Sequence, residues 1–169
     1  AEERATCLAA GALLAPIETP VGRVGLVNGA DILYPEVSRI LCLQGADILV
    51  HQGALQRYDE AVALSRLWRE VQANQVFGVE AYAVGPDLRG RSAVHAPLEI
   101  TPEQDGWLAR APADDRPAVV LADLDPSALE KLLRTYPIHA LRNPGQYARY
   151  FPGLYRTATQ ASRGRDGRA

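Results

Sequence analysis

An α/β fold of stacked strand and helix layers is predicted by three features of this sequence. Short β-type runs alternate with amphipathic helical runs, the strand candidates are apolar on both sides, and the composition is that of an ordinary globular protein. Of 169 residues, 47% are hydrophobic and 22% charged, which suits one domain or one piece of a larger one.

Along the chain, small apolar residues of no clear period come first. Ile17 to Val27 reads as two short strands around a Pro20-Val21-Gly22 turn, and Asn28-Gly29-Ala30-Asp31 is a sharp connection. Pro35 sits where a helix would start, with Glu36 favourable in its first turn. Val37, Ile40, Leu41 and Leu43 give that helix an apolar face, and Gly45 closes it. Asp47 to Val50 is a short buried strand. The longest helix is expected from about Asp59 to Asn74, with Ala61, Leu64, Leu67 or Trp68, and Val71 at helical spacing. Val76 to Val84 is a strand, and Gly85 to Arg91 a loop. Further strands are expected at Ser92 to Pro97, Trp107 to Ala111 and Ala118 to Ala122. Ser127 is placed as the cap of a last helix through Leu133. From Gly153 the chain loosens, and residues 156–169 read as a disordered tail.

Charge and composition exclude several functions. With 18 Lys+Arg against 20 Asp+Glu the net charge is −2, without the basic excess of a nucleic-acid binder. No apolar run is long enough to span a bilayer, since Ala9 to Ile17 is broken by Gly11 and Pro16. No basic segment precedes a hydrophobic stretch and cleavage site, so a cytoplasmic protein is expected, with neither a nucleic-acid nor a membrane partner. Cys7 and Cys42 cannot build a disulfide framework. The chain has no methionine, so a processed or excised piece is expected rather than a primary translation product.

The run from Gly22-Arg23-Val24-Gly25 through Asn28-Gly29-Ala30-Asp31 to Tyr34-Pro35-Glu36 resembles the nitrilase, or carbon–nitrogen hydrolase, superfamily. That family's signature is a Gly-Arg-x-Gly strand, then Cys-x-Asp-x-x-aromatic-Pro-Glu at a strand-to-helix elbow. Gly45 to Val50 is similar to the strand after the elbow helix, and Ala73-Asn74-Gln75-Val76-Phe77 to the segment ending the long helix. Gly90-Arg91-Ser92 is similar to the family's Gly-x-Ser turn. Asp123 or Asp125, Arg134, Pro137 and Tyr147 are similar to its C-terminal pattern. The resemblance runs from about Glu3 to Tyr155, so residues 1–155 are expected to be the C-terminal part of the domain.

The resemblance implies a four-layer αββα sandwich that pairs across a helical surface. It also implies a Glu–Lys–Cys triad in which Cys attacks the carbonyl or nitrile carbon, Glu moves the proton and Lys steadies the developing charge. The first Glu and the Lys are expected before this region, and Glu3 is the candidate auxiliary carboxylate. Counting back from Tyr34-Pro35-Glu36 through Asp31 places the family's Cys at Gly29, which has no side chain to form a thioester. Ala73 stands where the family commonly has Glu, and Tyr82 where it commonly has Asn. The expected function is therefore a non-catalytic or impaired member that binds a small amide, nitrile or carboxylic acid, or serves as a scaffold. The alternative is an active amidase on a non-peptide C–N bond, with a replacement nucleophile and a Glu and Lys from an N-terminal segment. The expected ligand contacts are Asn28, Ala30, His51 and Gln52. No cofactor is expected. The sandwich is expected to be completed by its N-terminal half or a second copy, within a homo-oligomer.

The remaining chemistry-bearing residues have structural readings. Cys42, between Leu41 and Leu43, reads as a buried small hydrophobe, and Cys7 as packing. Glu36 and Arg39 have the spacing of a helical ion pair, and Asp31 that of a brace for the elbow. His51, His95 and His139 share no metal-site spacing, and no metal is expected. His51 is the most site-like of the three, ending a buried strand just before Gln52-Gly53. Ser92 reads as a turn hydroxyl, and Arg163, Arg165 and Arg168 as a solvated end.

Overall fold

The computed structural model describes residues 13–165. The described residues divide into two compact units, one running up to Tyr136 and one from Pro137 onward. Among the described residues no helix is long and apolar enough to cross a membrane.

The first unit is built on one six-stranded sheet whose spatial order follows the chain. The strands are β1 (Ile17–Thr19), β2 (Gly22–Asn28), β3 (Ile48–Ala54), β4 (Phe77–Ala83), β5 (Ala93–His95) and β6 (Trp107–Arg110). β2, β3 and β4 are parallel, and the outer pairings are antiparallel. Parallel neighbours need crossover connections. Here α1 (Pro35–Leu43) links β2 to β3, and α2 (Glu60–Leu64) and α3 (Leu67–Asn74) link β3 to β4.

Alternation along the strands sorts side chains onto two faces. Val27 and Leu49 meet Leu41 and Cys42 of α1 and Leu67 and Val71 of α3 in one core. Each fully buried Leu there contributes about 2 kcal/mol of transfer free energy. On the opposite face Ile48 and Phe77 pack with Ala96 and with Leu129 of α4 (Pro126–Thr135). That cover protects the amino-terminal ends of the parallel strands. Toward their carboxyl ends the same face is open, and Leu26 is 54% exposed.

Three expectations about elements are corrected. The helix predicted over residues 59–74 is broken at Ser65 and Arg66, where the Ser65 hydroxyl turns back to donate to the Val62 carbonyl at 2.9 Å. Such a bond competes with continuation of the helix. Asp59 caps the first piece, accepting from the Val62 N–H at 2.9 Å. Residues 118–122 form no strand, because no neighbouring strand offers them a ladder, and Val119 is 88% exposed. The cap of α4 is Asp125, whose carboxylate accepts from the N–H groups of Ser127 and Ala128, with Pro126 in the first turn. Asp125 reaches donors that Ser127, already inside the helix, cannot.

The second unit carries α5 (Pro144–Arg165), the longest helix described. It runs to Arg165, into the segment read as a disordered tail, and carries Pro152 within it. Along it Tyr147 stacks on Phe151 at a ring separation of 5.7 Å, and Phe151 meets Tyr155 in a tilted arrangement at 5.6 Å.

Candidate functional site

β2 ends at Asn28, and the chain turns at Gly29 into a short 3-10 turn, Gly29–Leu33, before Pro35 starts α1. Gly29 has φ +52, and a Cβ built on it would meet nothing within 4 Å. The backbone therefore takes the left-handed form that glycine adopts at least cost, and the space a side chain would occupy is open. The Tyr34 N–H donates to the Asp31 carbonyl at 3.0 Å and closes the turn. Asp31 thus braces the elbow through its own carbonyl.

A shallow cleft of about 510 Å³ lies over this elbow, lined by Asn28, Gly29, Gln52 to Ala54 and Ala81 to Ala83. It sits at the carboxyl ends of the parallel strands, the usual place for ligands in open α/β sheets. Asn28 and Gln52 are register partners across β2 and β3, and Gln52 Nε2 donates to Asn28 Oδ1 at 2.8 Å. Their amide groups are the polar equipment of the cleft, able to donate to and accept from an amide or a carboxylic acid.

Beneath the cleft, on the helix-covered face, lies a buried polar cluster. Glu80 on β4 is flanked by His51 on β3, its register partner, and by His95 on β5. His51 Nδ1 lies 3.0 Å from Glu80 Oε1 and its Nε2 lies 3.1 Å from the Gly29 carbonyl oxygen. His95 Nε2 lies 3.3 Å from Glu80 Oε2. The Tyr82 hydroxyl donates to Glu80 Oε1 at 2.6 Å. Burial pushes the Glu80 carboxyl up, but hydrogen bonds from His51, His95 and Tyr82 outweigh it and bring the pKa down to about 2. Burial and the neighbouring Glu80 charge both push the Tyr82 phenol up, so it stays protonated. Tyr82 is held against Gly90, where a Cβ would fall 2.3 Å from the Tyr82 Cβ.

The expected site residues distribute unevenly around this geometry. Asn28, Gly29 and Gln52 line the cleft together. Ala30 is exposed in the turn beside them but does not line it. His51 was expected in the pocket; it is fully buried and committed to Glu80 and the Gly29 carbonyl. The reason is alternation: Gln52 faces the cleft, so His51 faces the helices. Glu3 and Cys7 lie outside the described residues. Cys42 is buried in the apolar core on α1, Arg39 reaches the Ala73 carbonyl at 3.0 Å, and the Ser92 hydroxyl accepts from the Tyr82 N–H at 3.0 Å. Among the described residues no group of three or more His, Cys, Asp or Glu could hold a metal ion. Glu80 escaped the sequence reading. A lone charge in the apolar strand Phe77 to Ala83, two residues before a tyrosine, was the available signal, since buried charges are nearly always paired.

A family model described as carbon-nitrogen hydrolase matches residues 2–132. Deaminated glutathione amidase of Bos taurus is 28% identical over 137 residues, covering 80% of this chain and 40% of that protein. Hydrolase C26A3.11 of Schizosaccharomyces pombe is 24% identical over 147 residues, covering 87% of this chain and 45% of that protein. The chain thus spans less than half the length of the curated relatives it matches. Among solved structures, a carbon-nitrogen hydrolase from Helicobacter pylori G27 superposes with TM-score 0.70 at 24% identity, covering 83% of this chain and 53% of that one. An amidase from Nesterenkonia sp. AN1, described with the acetamide moiety of fluoroacetamide covalently added at its active site cysteine, superposes with TM-score 0.60 at 19% identity. It covers 79% of this chain and 52% of that one. These likenesses establish an α/β fold shared with the nitrilase superfamily.

Proposed function

The chain belongs to the carbon–nitrogen hydrolase family, and from that premise we propose that it carries the elbow half of an amidase-type site in which Gly29 stands at the position of the nucleophilic cysteine. In this reading the cleft binds a small amide, nitrile or carboxylic acid without forming a thioester. The observation that carries it is Gly29 itself, a left-handed residue between strand and helix, with open space where a side chain would project into the cleft. The hydroxyl of the described lining, on Tyr82, is committed to Glu80 and kept protonated, so that lining offers no ready nucleophile. Asn28 and Gln52 supply the polar contacts.

The same reading assigns the open part of the sheet to a partner surface. Leu26 and Val50 together with Asn28 and Gln52 line a second hollow of about 350 Å³ on that face. An apolar sheet surface of this kind is stabilised by cover. We assign the cover to the N-terminal half of the sandwich or to a second copy, in a cytoplasmic homo-oligomer, with any general-base Glu and any Lys coming from that half.

Acetamide titration followed by amide NMR shifts, run beside an ammonia assay, tests the site. Shifts centred on Asn28, Gly29 and Gln52 without ammonia release are expected. Ammonia release would establish instead an active amidase with a replacement nucleophile. Absence of shifts at the elbow would remove the ligand reading.

A further inference from the structure

The buried cluster beneath the elbow fixes the protons of its members through their partners. Glu80 accepts the Tyr82 hydroxyl on Oε1 at 2.6 Å and meets His95 through Oε2. The Nδ1 of His95 is buried without a hydrogen-bond partner among the described residues, so the geometry at His95 asks for only one proton. His51 differs. Its Nδ1 faces the Glu80 carboxylate at 3.0 Å and its Nε2 faces the Gly29 carbonyl oxygen at 3.1 Å. The carbonyl can only accept, and so can the carboxylate in its ionised form. A neutral imidazole has one N–H and one lone pair, and would set that lone pair against an oxygen at one of the two contacts. In a fully buried setting such an unmade bond is costly.

We propose that His51 is held as an imidazolium whose Nε2–H clamps the Gly29 carbonyl, which makes it the positioning residue of the elbow site. The inference rests on the reading of the cleft as a ligand site. Glu80 balances the charge from 3.0 Å away, so the cluster is neutral as a pair. A charge-assisted bond is roughly twice as strong as a neutral one, and this one ends on the peptide whose rotation would undo the left-handed turn at Gly29. The grip is double. Successive residues of β3 hold successive residues of the elbow, with His51 on Gly29 from the helix face and Gln52 on Asn28 from the cleft face.

The test is long-range proton–nitrogen NMR of the histidine rings of the intact protein at neutral pH, with amide hydrogen exchange of the wild type and His51→Gln. Both ring nitrogens of His51 are expected to give the protonated signature. The Tyr34 amide, which closes the elbow turn, is expected to exchange about tenfold faster in His51→Gln relative to the amides of β3 and β4. Acetamide-induced shifts at Asn28 and Gly29 should weaken with it. An unprotonated nitrogen on His51 would overturn the assignment by placing the proton on Glu80. An unchanged Tyr34 exchange ratio would overturn the clamp. A wild type whose His51 is an imidazolium and whose elbow responds to His51→Gln, yet which shows no acetamide shifts, would refute the ligand site and leave the clamp as a device of the fold.

Discussion

Gln52 and Asn28 face each other across parallel strands, with the Gln52 side-chain amide donating to the Asn28 side-chain oxygen, Oδ1, at 2.8 Å at the lip of the cleft. Both residues are exposed, so the bond is worth at most about 1 kcal/mol to the fold. Gln52→Ala should leave the urea midpoint nearly unchanged while weakening acetamide binding several-fold. A large loss of stability with unaltered binding would mean that the pair is structural.

Gly29→Cys places a side chain in open space but at φ +52, which costs about 1 kcal/mol. The new thiol should be alkylated far faster than buried Cys42, as peptide mass mapping would show. Because the proposed general base and Lys belong to the other half of the sandwich, this variant should release no ammonia from acetamide on its own. Ammonia release would refute that division of labour.

Glu80 supplies a pH-dependent part of the stability. Its folded pKa of about 2 lies below the ordinary 4.5, so its contribution is complete above pH 4.5 and is lost as pH falls toward 2. The depression corresponds to about 3 kcal/mol. Glu80→Gln should therefore destabilise strongly at pH 7, by about 3–5 kcal/mol for a broken buried pair. The gap from wild type should narrow in acid. Urea unfolding at pH 7 and pH 3 checks this, and a gap independent of pH would sink it.

Gly90→Ala would force its Cβ to within 2.3 Å of the Tyr82 Cβ. The tyrosine must move, and its bond to Glu80 goes with it. We expect a loss of about 1–3 kcal/mol and a changed near-ultraviolet circular dichroism signal. Wild-type behaviour would show that the loop gives way instead.

Asp125→Ala should cost about 1 kcal/mol by removing the cap of α4, whereas Ser127→Ala should cost little. The reverse order in thermal melts would restore Ser127 as the cap.

Local signals carried the parallel core of the fold. Pro35, Glu36 and Gly45 bracket α1, and the apolar runs at Leu49 and Phe77 mark β3 and β4. Where the reading missed, the deciding contact was made elsewhere. Val119 and Leu121 have strand-type side chains but no neighbour to bond them. Of the residues that line the cleft, Asn28 and Gly29 were singled out from the elbow motif and Gln52 from the strand end after His51. The role of His51 was not, because its partner Glu80 lies 29 residues away and only strand register joins them. Alternation alone would have turned His51 from the cleft once Gln52 was placed in it.

The spatial order of the sheet, β1 through β6, is also its order in the chain. Each strand therefore adds to an edge left by its predecessor, and none must be threaded between two already paired. A polypeptide emerging from the ribosome can lay down this sheet as it is made. His51 emerges before its counter-charge, and Glu80 arrives only with β4. The third parallel strand thus supplies the counter-charge for the residue that reaches the elbow formed by the first.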